Sequence, residues 1–226
     1  MIGRRSGNPY SLGSRLNPLK WPSTSDTLTS VTSAAAGPRR AQAMSASDVR
    51  DAVDEYAAAA EAMRGADIVA LEVNASCPNL ETRSSMFAHS ASATAELVAA
   101  SRVAGVPLWV KLSPNTPDLV DIAGAALDAG AEALVLVNTV LGLSIDIDTR
   151  RPSLGRGGGG LSGPGIMPVA LRSVFDCRAA FPDAPIVGVG GISSGEDAVA
   201  FVMAGADAVE VGTATFADPR APWRAK

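Results

Sequence analysis

The chain has 226 residues, a net charge of −4 and 47% hydrophobic residues, a composition typical of one globular domain. Its mild acidity, without a basic patch in the core region, argues against nucleic acid as a partner, and no apolar run approaches the roughly 20 residues of a membrane span. Its two cysteines, Cys77 and Cys177, lack the spacing of a disulfide framework or a metal site, so we expect a cytoplasmic protein without a metal.

The first 46 residues differ from the rest. They hold six basic residues against one acidic residue and no run of three Val, Ile or Leu residues. One interpretation is an organellar transit peptide, which is rich in Arg and poor in acids. The other is a disordered or misread start, which we prefer because 16 Arg against 3 Lys is typical of a GC-rich gene that could be translated out of frame. We therefore leave residues 1–46 unassigned and place the globular domain at 47–226.

From residue 47 onward the chain repeats a run of Val, Ile and Leu, a loop and an Ala-rich helix. The predicted strands are 68–73, 108–112, 133–137, 186–189 and 208–211. The predicted helices are 47–63, 91–103, 117–129, 167–181 and 195–204, the last with a capping box of Ser193 and Glu196. Continuous apolar strands alternating with helices predict a parallel sheet covered on both faces, either a barrel or an open doubly wound sheet.

Cys77 is the best candidate for chemistry. It lies in the segment 74–79, Asn-Ala-Ser-Cys-Pro-Asn, directly after a predicted strand, and active groups of parallel α/β proteins gather at the carboxyl ends of strands. The alternative is a buried cysteine that only packs, but the polar neighbours argue against an apolar pocket. Cys177, by contrast, lies at helical spacing from Val174 and Phe181, which predicts a packing role.

Six motifs together resemble one family. Their order and spacing across about residues 47–219 are similar to those of the class 1 dihydroorotate dehydrogenase catalytic subunits, especially the type that works with a separate electron-transfer subunit. The motifs are 74–79, 110–115 (Val-Lys-Leu-Ser-Pro-Asn), 137–139 (Val-Asn-Thr), 160–164 (Gly-Leu-Ser-Gly-Pro), 188–192 (Gly-Val-Gly-Gly-Ile) and 211–213 (Val-Gly-Thr).

The resemblance implies a TIM (β/α)8 barrel, incomplete here with about five of eight strands recognisable, that holds FMN at its mouth. It implies oxidation of dihydroorotate to orotate in pyrimidine biosynthesis, with hydride transfer to the flavin and Cys77 as the base. Loop 77–90 would act as a lid. It also implies an oligomer and a partner subunit that carries FAD and an iron–sulfur cluster.

Further site residues follow from the same resemblance. Asn74, Asn138 and Thr139 would bind the substrate, although Asn after a strand also starts turns. Lys111 would lie against the flavin pyrimidine edge and stabilise negative charge there, the alternative being an exposed Lys after an edge strand. The remaining flavin contacts would be Asn74, Val137, Gly163, Gly190, Gly191, Gly212 and Thr213. The glycine run 157–160 is expected to be a flexible linker.

Three alternatives remain. A dinucleotide fold, suggested by Gly188 and Gly190 with Glu210 further on, is disfavoured because the third glycine position is Ser193 and Glu210 falls inside a strand. A dihydropyrimidine dehydrogenase-like subunit shares the barrel and the cysteine loop, but segment 145–152 resembles the orotate branch. An inactive truncated relative is suggested because residues 1–46 would have to hold three strands and two helices of a family barrel, for which they are too short, and the closing helix is expected to be missing after Thr213.

Overall fold

A computed structural model describes residues 46–76, 89–155 and 157–226, with side chains from residue 53 onward. The predictions for residues 1–45 and for loop 77–88 lie outside these ranges. One parallel sheet contains β1 (Leu71–Asn74), β2 (Leu108–Leu112), β3 (Ala133–Leu136), β8 (Ile186–Val189) and β9 (Ala208–Glu210). Between β3 and β8 the chain forms β4 (Val140–Gly142), β5 (Ile145–Asp146), β6 (Arg151–Pro152) and β7 (Gly159–Leu161), and β4 pairs with β7 while β5 pairs with β6, both antiparallel.

The order of the strands decides between the two predicted architectures. The sheet runs β1-β2-β3-β8-β9, so each new parallel strand joins the same growing edge. A doubly wound sheet reverses direction at a switch point, and this sheet does not. It is the sheet of a (β/α) barrel, which stays open within the part of the chain that the structure describes.

The helices are α1 (Ala46–Ala62), α2 (Ala91–Ser101), α3 (Leu119–Asp128), α4 (Met167–Ala180), α5 (Gly195–Ala204), α6 (Ala214–Ala217) and α7 (Ala221–Arg224). The first five helices cover one face of the sheet in chain order, whereas the one-turn helices α6 and α7 lie beside a cavity at the carboxyl ends of the strands. Each of α1 to α4 packs on the next helix, and together with β1, β2 and β3 they enclose one apolar core. Cys177 is fully buried there, and this burial raises the pKa of its thiol to about 12, so the predicted packing role is confirmed.

The sequence placed every sheet strand and long helix within three residues of its observed bounds. The largest shift is at β1, which begins at Leu71 and not at residue 68. Pairing explains the shift, because Leu71 lies opposite Leu108, the first residue of β2. Val69, before the paired segment, is 44% exposed.

Two local predictions were wrong. The capping box of α5 consists of Ser194 and Asp197 rather than Ser193 and Glu196, because the Ser-x-x-acid pattern fits both registers and only the helix start selects one. Gly159 and Gly160 belong to β7 and are not a linker, because pairing with β4 orders them. After Thr213 the chain forms the one-turn helices α6 and α7, and a proline is tolerated in the first turn of α7. With four residues each, they are too short to be the closing helix of a barrel.

The other face of the sheet is its inner, concave face. Asn74, Lys111, Val135, Val187 and Ala208 lie side by side on five successive strands. Side chains two residues away along a strand share this face. Glu72 on β1 and Glu210 on β9 therefore point to the same side as Lys111, into a surface that is otherwise apolar at Trp109, Val135, Val187, Val189 and Ala208.

Arg178 ties the end of α4 to the strands beyond it. Its guanidinium donates to the carbonyl oxygen of Gly205 at 2.9 Å and to three carbonyls of the loop before β8, those of Phe181, Pro182 and Ala184. It also donates to Asp207 Oδ2 at 2.7 Å, which in turn accepts from the Ile186 amide. One side chain thus satisfies several backbone groups that no helix or strand pairs.

We expect Arg178→Ala to lower the free energy of unfolding by about 2–4 kcal/mol, because it removes charge-assisted hydrogen bonds and leaves Asp207 without its cation. Urea denaturation measures the change. The matched control is Arg172→Ala on the same helix, where an exposed ion pair with Asp176 should contribute no more than about 0.5 kcal/mol. Equal losses in the two variants would contradict the role assigned to Arg178.

Candidate active site

A cavity of about 470 Å³ lies at the carboxyl ends of the sheet strands. A cavity of this size is in the range of small-molecule sites. Nine of the residues singled out from the sequence line it, although they come from strand β2 and four separate segments of the chain. From β2 and the segment after β3 come Lys111, Val137, Asn138 and Thr139, and from the later loops come Gly163, Gly190, Gly191, Gly212 and Thr213.

Asn74 does not line the cavity itself but holds a residue that does. Its Oδ1 accepts a hydrogen bond from Asn138 Nδ2 at 2.9 Å and another from the Ser76 amide. Its backbone carbonyl accepts from the Tyr56 hydroxyl at 2.7 Å, so α1 fixes the end of β1. Since the Oδ1 of Asn138 also accepts, from the Thr139 amide at 2.7 Å, both carbonyl oxygens are occupied. The two side chains are therefore oriented to offer N–H donors, which suit a carboxylate or carbonyl ligand.

Asn115 is a site residue that sequence reasoning missed, although it lies in the motif at 110–115. Its Nδ2 donates to the Thr139 carbonyl and to Ser113 Oγ, both at 2.9 Å, and its Oδ1 accepts from the Leu141 amide at 2.8 Å. The loop after β2 thereby holds both ends of the turn that carries Thr139. The only sequence signal was an Asn shortly after a strand, which is more often a local turn residue.

Lys111 carries a positive charge at the base of the cavity. Its Nζ lies 3.2 Å from Glu72 Oε1 and 3.6 Å from Glu210 Oε2. Its side chain is only 19% exposed, and β2 is an interior strand of the sheet. The alternative of an exposed Lys after an edge strand is therefore wrong.

The two glutamates were also missed as site residues. Glu72 interrupts the apolar run of β1, and Glu210 that of β9, and a charged residue inside a buried strand is the signal that could have found them. Both side chains lie close to Lys111, with Glu72 only 6% exposed. Because β1 and β9 are the two edges of the sheet, the shared lysine requires the sheet to curl until its edges face each other.

Glu210 is electrostatically perturbed by this environment. Burial raises the pKa of its carboxyl to about 7, the charge of Glu72 adds to the increase, and Lys111 opposes it. The cluster thus holds two carboxyl groups and one ammonium group, and one of the carboxyl groups binds a proton near neutral pH. Strongly shifted groups beside a cavity are frequent at functional sites.

Two glycines of the rim are required by their surroundings. Gly191 has a φ of +87°, and a Cβ built there would lie 2.8 Å from Met167 Cβ and 2.9 Å from the Gly163 carbonyl oxygen. Gly190 has a φ of +130°, and its Cβ would lie 3.0 Å from Ala170 Cβ. A side chain at either position would be strained. The backbone of the loop after β8 therefore packs directly against the start of α4 and faces the cavity.

Several expectations fall on residues that the structure does not describe. Cys77 and the lid loop 77–88 are among them, but Ser76, directly before Cys77, is buried with its hydroxyl bonded to the Lys111 carbonyl at 2.8 Å. Within the described ranges no group of three or more His, Cys, Asp or Glu side chains could hold a metal ion. No helix in the same ranges is long and apolar enough to cross a membrane.

Comparison with known proteins gives a consistent result. The family model described as dihydroorotate dehydrogenase matches residues 25–225. A relative from Solibacter usitatus, provisionally named dihydroorotate dehydrogenase A (fumarate), is 53% identical over 160 residues, which are 70% of this chain and 52% of the relative. The dihydroorotate dehydrogenase B (NAD(+)) catalytic subunit of Alkaliphilus oremlandii is 48% identical over 170 residues, which are 75% of this chain and 56% of that protein.

Solved structures support the same fold. A crystal structure of DHODH from Eimeria tenella in complex with ferulenol superimposes with a TM-score of 0.61 at 22% identity, covering 78% of this chain and 52% of that chain. At this identity the match supports the fold alone. The chain spans about half the length of the curated relatives that it matches.

We expect the stability of the protein to fall as the pH rises from about 4.5 to about 7. The folded state raises the pKa of Glu210 above its ordinary value of 4.5, so its contribution is fully present below pH 4.5 and is lost through pH 7, on the order of 1–3 kcal/mol. Urea denaturation across this pH range should show this part of the decline absent in Glu210→Gln. Glu96→Gln, at an exposed carboxylate, should keep it, and an unchanged profile in Glu210→Gln would contradict the assignment.

Proposed function

Because the chain belongs to the dihydroorotate dehydrogenase family, we propose that it forms the FMN- and substrate-binding face of an enzyme that oxidises dihydroorotate to orotate in pyrimidine biosynthesis. The observation that carries this proposal is the convergence of nine predicted site residues on one cavity at the carboxyl edge of the sheet. Ligands of barrel enzymes bind at this edge.

The residues present fit FMN. The close backbone packing of Gly191 on Gly163 and Met167 makes a cradle that a Cβ would fill, suited to the phosphate together with Gly212 and Thr213. Lys111 supplies a fixed positive charge for the pyrimidine edge of the flavin. When bound, FMN would supply the hydride acceptor of the reaction.

The chain's own residues would bind the substrate and remove a proton from it. The Asn138 amide, held in place by its hydrogen bond to Asn74, would bind the carboxylate and ring carbonyls of dihydroorotate together with the Thr139 hydroxyl. Cys77 would take the proton from C5, since a thiolate near polar neighbours is a competent base. Its neighbour Ser76 is bonded to β2 beside the cavity, which supports a place for the thiol at the mouth.

A partner subunit is part of the proposal. The name of the Alkaliphilus oremlandii relative describes it as a catalytic subunit of an NAD(+) enzyme. We propose that electrons pass from FMN in this chain to a separate subunit that carries FAD and an iron–sulfur cluster. Co-purification of the two subunits would test this.

The first experiment is to purify the chain, add FMN and record its absorbance spectrum. We expect bound FMN that dihydroorotate bleaches and dihydrouracil does not, with bleaching lost in Cys77→Ala and kept in the matched variant Cys177→Ala, because the buried Cys177 thiol lies in the core. Bleaching by dihydrouracil would favour a dihydropyrimidine dehydrogenase-like protein. A chain that binds no FMN would indicate an inactive relative.

A second test addresses the phosphate cradle. We expect Gly191→Ala to weaken FMN binding at least about tenfold, because the new Cβ would strain the backbone at a positive φ and displace the Gly163 carbonyl. The control is Gly165→Ala in the turn directly after Gly163, where a Cβ would meet nothing within 4 Å. Fluorescence titration gives both dissociation constants, and equal values would contradict the cradle.

A further inference from the structure

Three charged groups meet on the inner face of the sheet. Lys111 Nζ contacts Glu72 Oε1 at 3.2 Å and Glu210 Oε2 at 3.6 Å. The neighbouring side chains on this face are Asn74, Trp109, Val135, Val187, Val189 and Ala208, none of which titrates. Among the described residues, Glu72 and Glu210 are therefore the titratable groups that face Lys111.

The cluster is costly as a stabilising device. Burying this cluster removes three charged groups from water, and apolar residues of similar size usually stabilise a fold as well or better. Glu72 Oε2 is buried without a hydrogen-bond partner among the described residues, so the cluster is not even fully satisfied. A buried and incompletely paired acid is better explained by what it does to its neighbour.

The geometry restrains the ammonium group from two directions. Glu72 lies two residues before Asn74, which pairs with Lys111. The ion pair with Glu72 therefore directs Nζ away from the carboxyl end of β2 and toward β1. Glu210 approaches from β9, across the concave face. It lies two residues before Gly212, at the end of β9, and Gly212 lines the cavity. The position of Nζ therefore depends on both edges of the sheet.

We propose that Glu72 and Glu210 are positioning residues that hold the Lys111 ammonium group at the base of the cavity. Glu72 is the primary anchor, because it is the nearer and more buried partner. Glu210 is the second, weaker anchor, which acts fully only when ionised. The importance of this restraint for catalysis rests on the proposed function, in which Lys111 contacts FMN, but the restraint itself requires no cofactor.

The chain offers a direct test, because it contains only three lysines, Lys20, Lys111 and Lys226. Acetylation by a limiting reagent, followed by peptide mass spectrometry, gives the reaction rate of each lysine in the intact chain. A lysine held by carboxylates must leave them and lose its proton before it reacts. At about pH 8.5, where Glu210 is ionised, we expect Lys111 to react at least about tenfold more slowly than the exposed Lys226.

The variants separate restraint from simple burial. Glu72→Gln keeps the size of the side chain but removes its charge, and we expect it to raise the Lys111 rate about three- to tenfold relative to Lys226, with a smaller increase in Glu210→Gln. Glu72→Asp keeps the charge and should restore part of the protection. Glu132→Gln, at an exposed position before β3, should change nothing.

The result that would overturn the proposal is a Lys111 rate in Glu72→Gln and Glu210→Gln equal to that of the wild-type chain, because burial alone would then explain the protection. If Glu72→Gln does not fold, as judged by circular dichroism, the less buried Glu210→Gln decides the question in its place. Raised Lys111 rates in a chain that binds no FMN would support the restraint and refute the proposed function. Unchanged rates in a chain whose FMN is bleached by dihydroorotate would refute the restraint alone.

Discussion

The parallel pairing of five successive strands is the constraint on which the site depends. Because every strand of the sheet runs in the same direction, every loop that follows a strand emerges at the same edge. Residues as far apart in the chain as Asn74 and Thr213 are delivered to one region without any direct link between their loops. The helices between the strands cover the outer face, so the inner face is left for function.

The inner face carries charge where a purely structural barrel would be apolar. Glu72, Lys111 and Glu210 lie among Val and Trp side chains, and their burial costs free energy that packing alone does not require. Burial also raises the pKa of the Glu210 carboxyl above its ordinary value. The Lys111 charge at the base of the cavity is therefore held by carboxyl groups that are themselves costly to bury.

Polar restraint and backbone shape act together at the mouth of the cavity. Asn115 and Asn74 hold the segment after β3 through side-chain amides, whereas Gly190 and Gly191 shape the opposite rim by lacking side chains. The amide hydrogen bonds and the glycine backbone both fix the shape of the cavity mouth without adding side chains that would fill it. The polar groups and backbone of the mouth therefore face the cavity with little freedom to rearrange, which is the condition for preorganised binding.

The sequence by itself determined the alternation of strands and helices, because continuous apolar runs and Ala-rich stretches are local signals. Through the motifs that resemble the family, it also identified nine of the 20 residues that line the cavity. The register of the α5 capping box could not be read from it, because Ser193 and Ser194 fit the same pattern. The partners of Lys111 could not be read either. Glu72 and Glu210 are separated by 138 residues in the chain, and only the curling of the sheet, which is set by strand pairing over its whole width, brings these two carboxyl groups to one ammonium group.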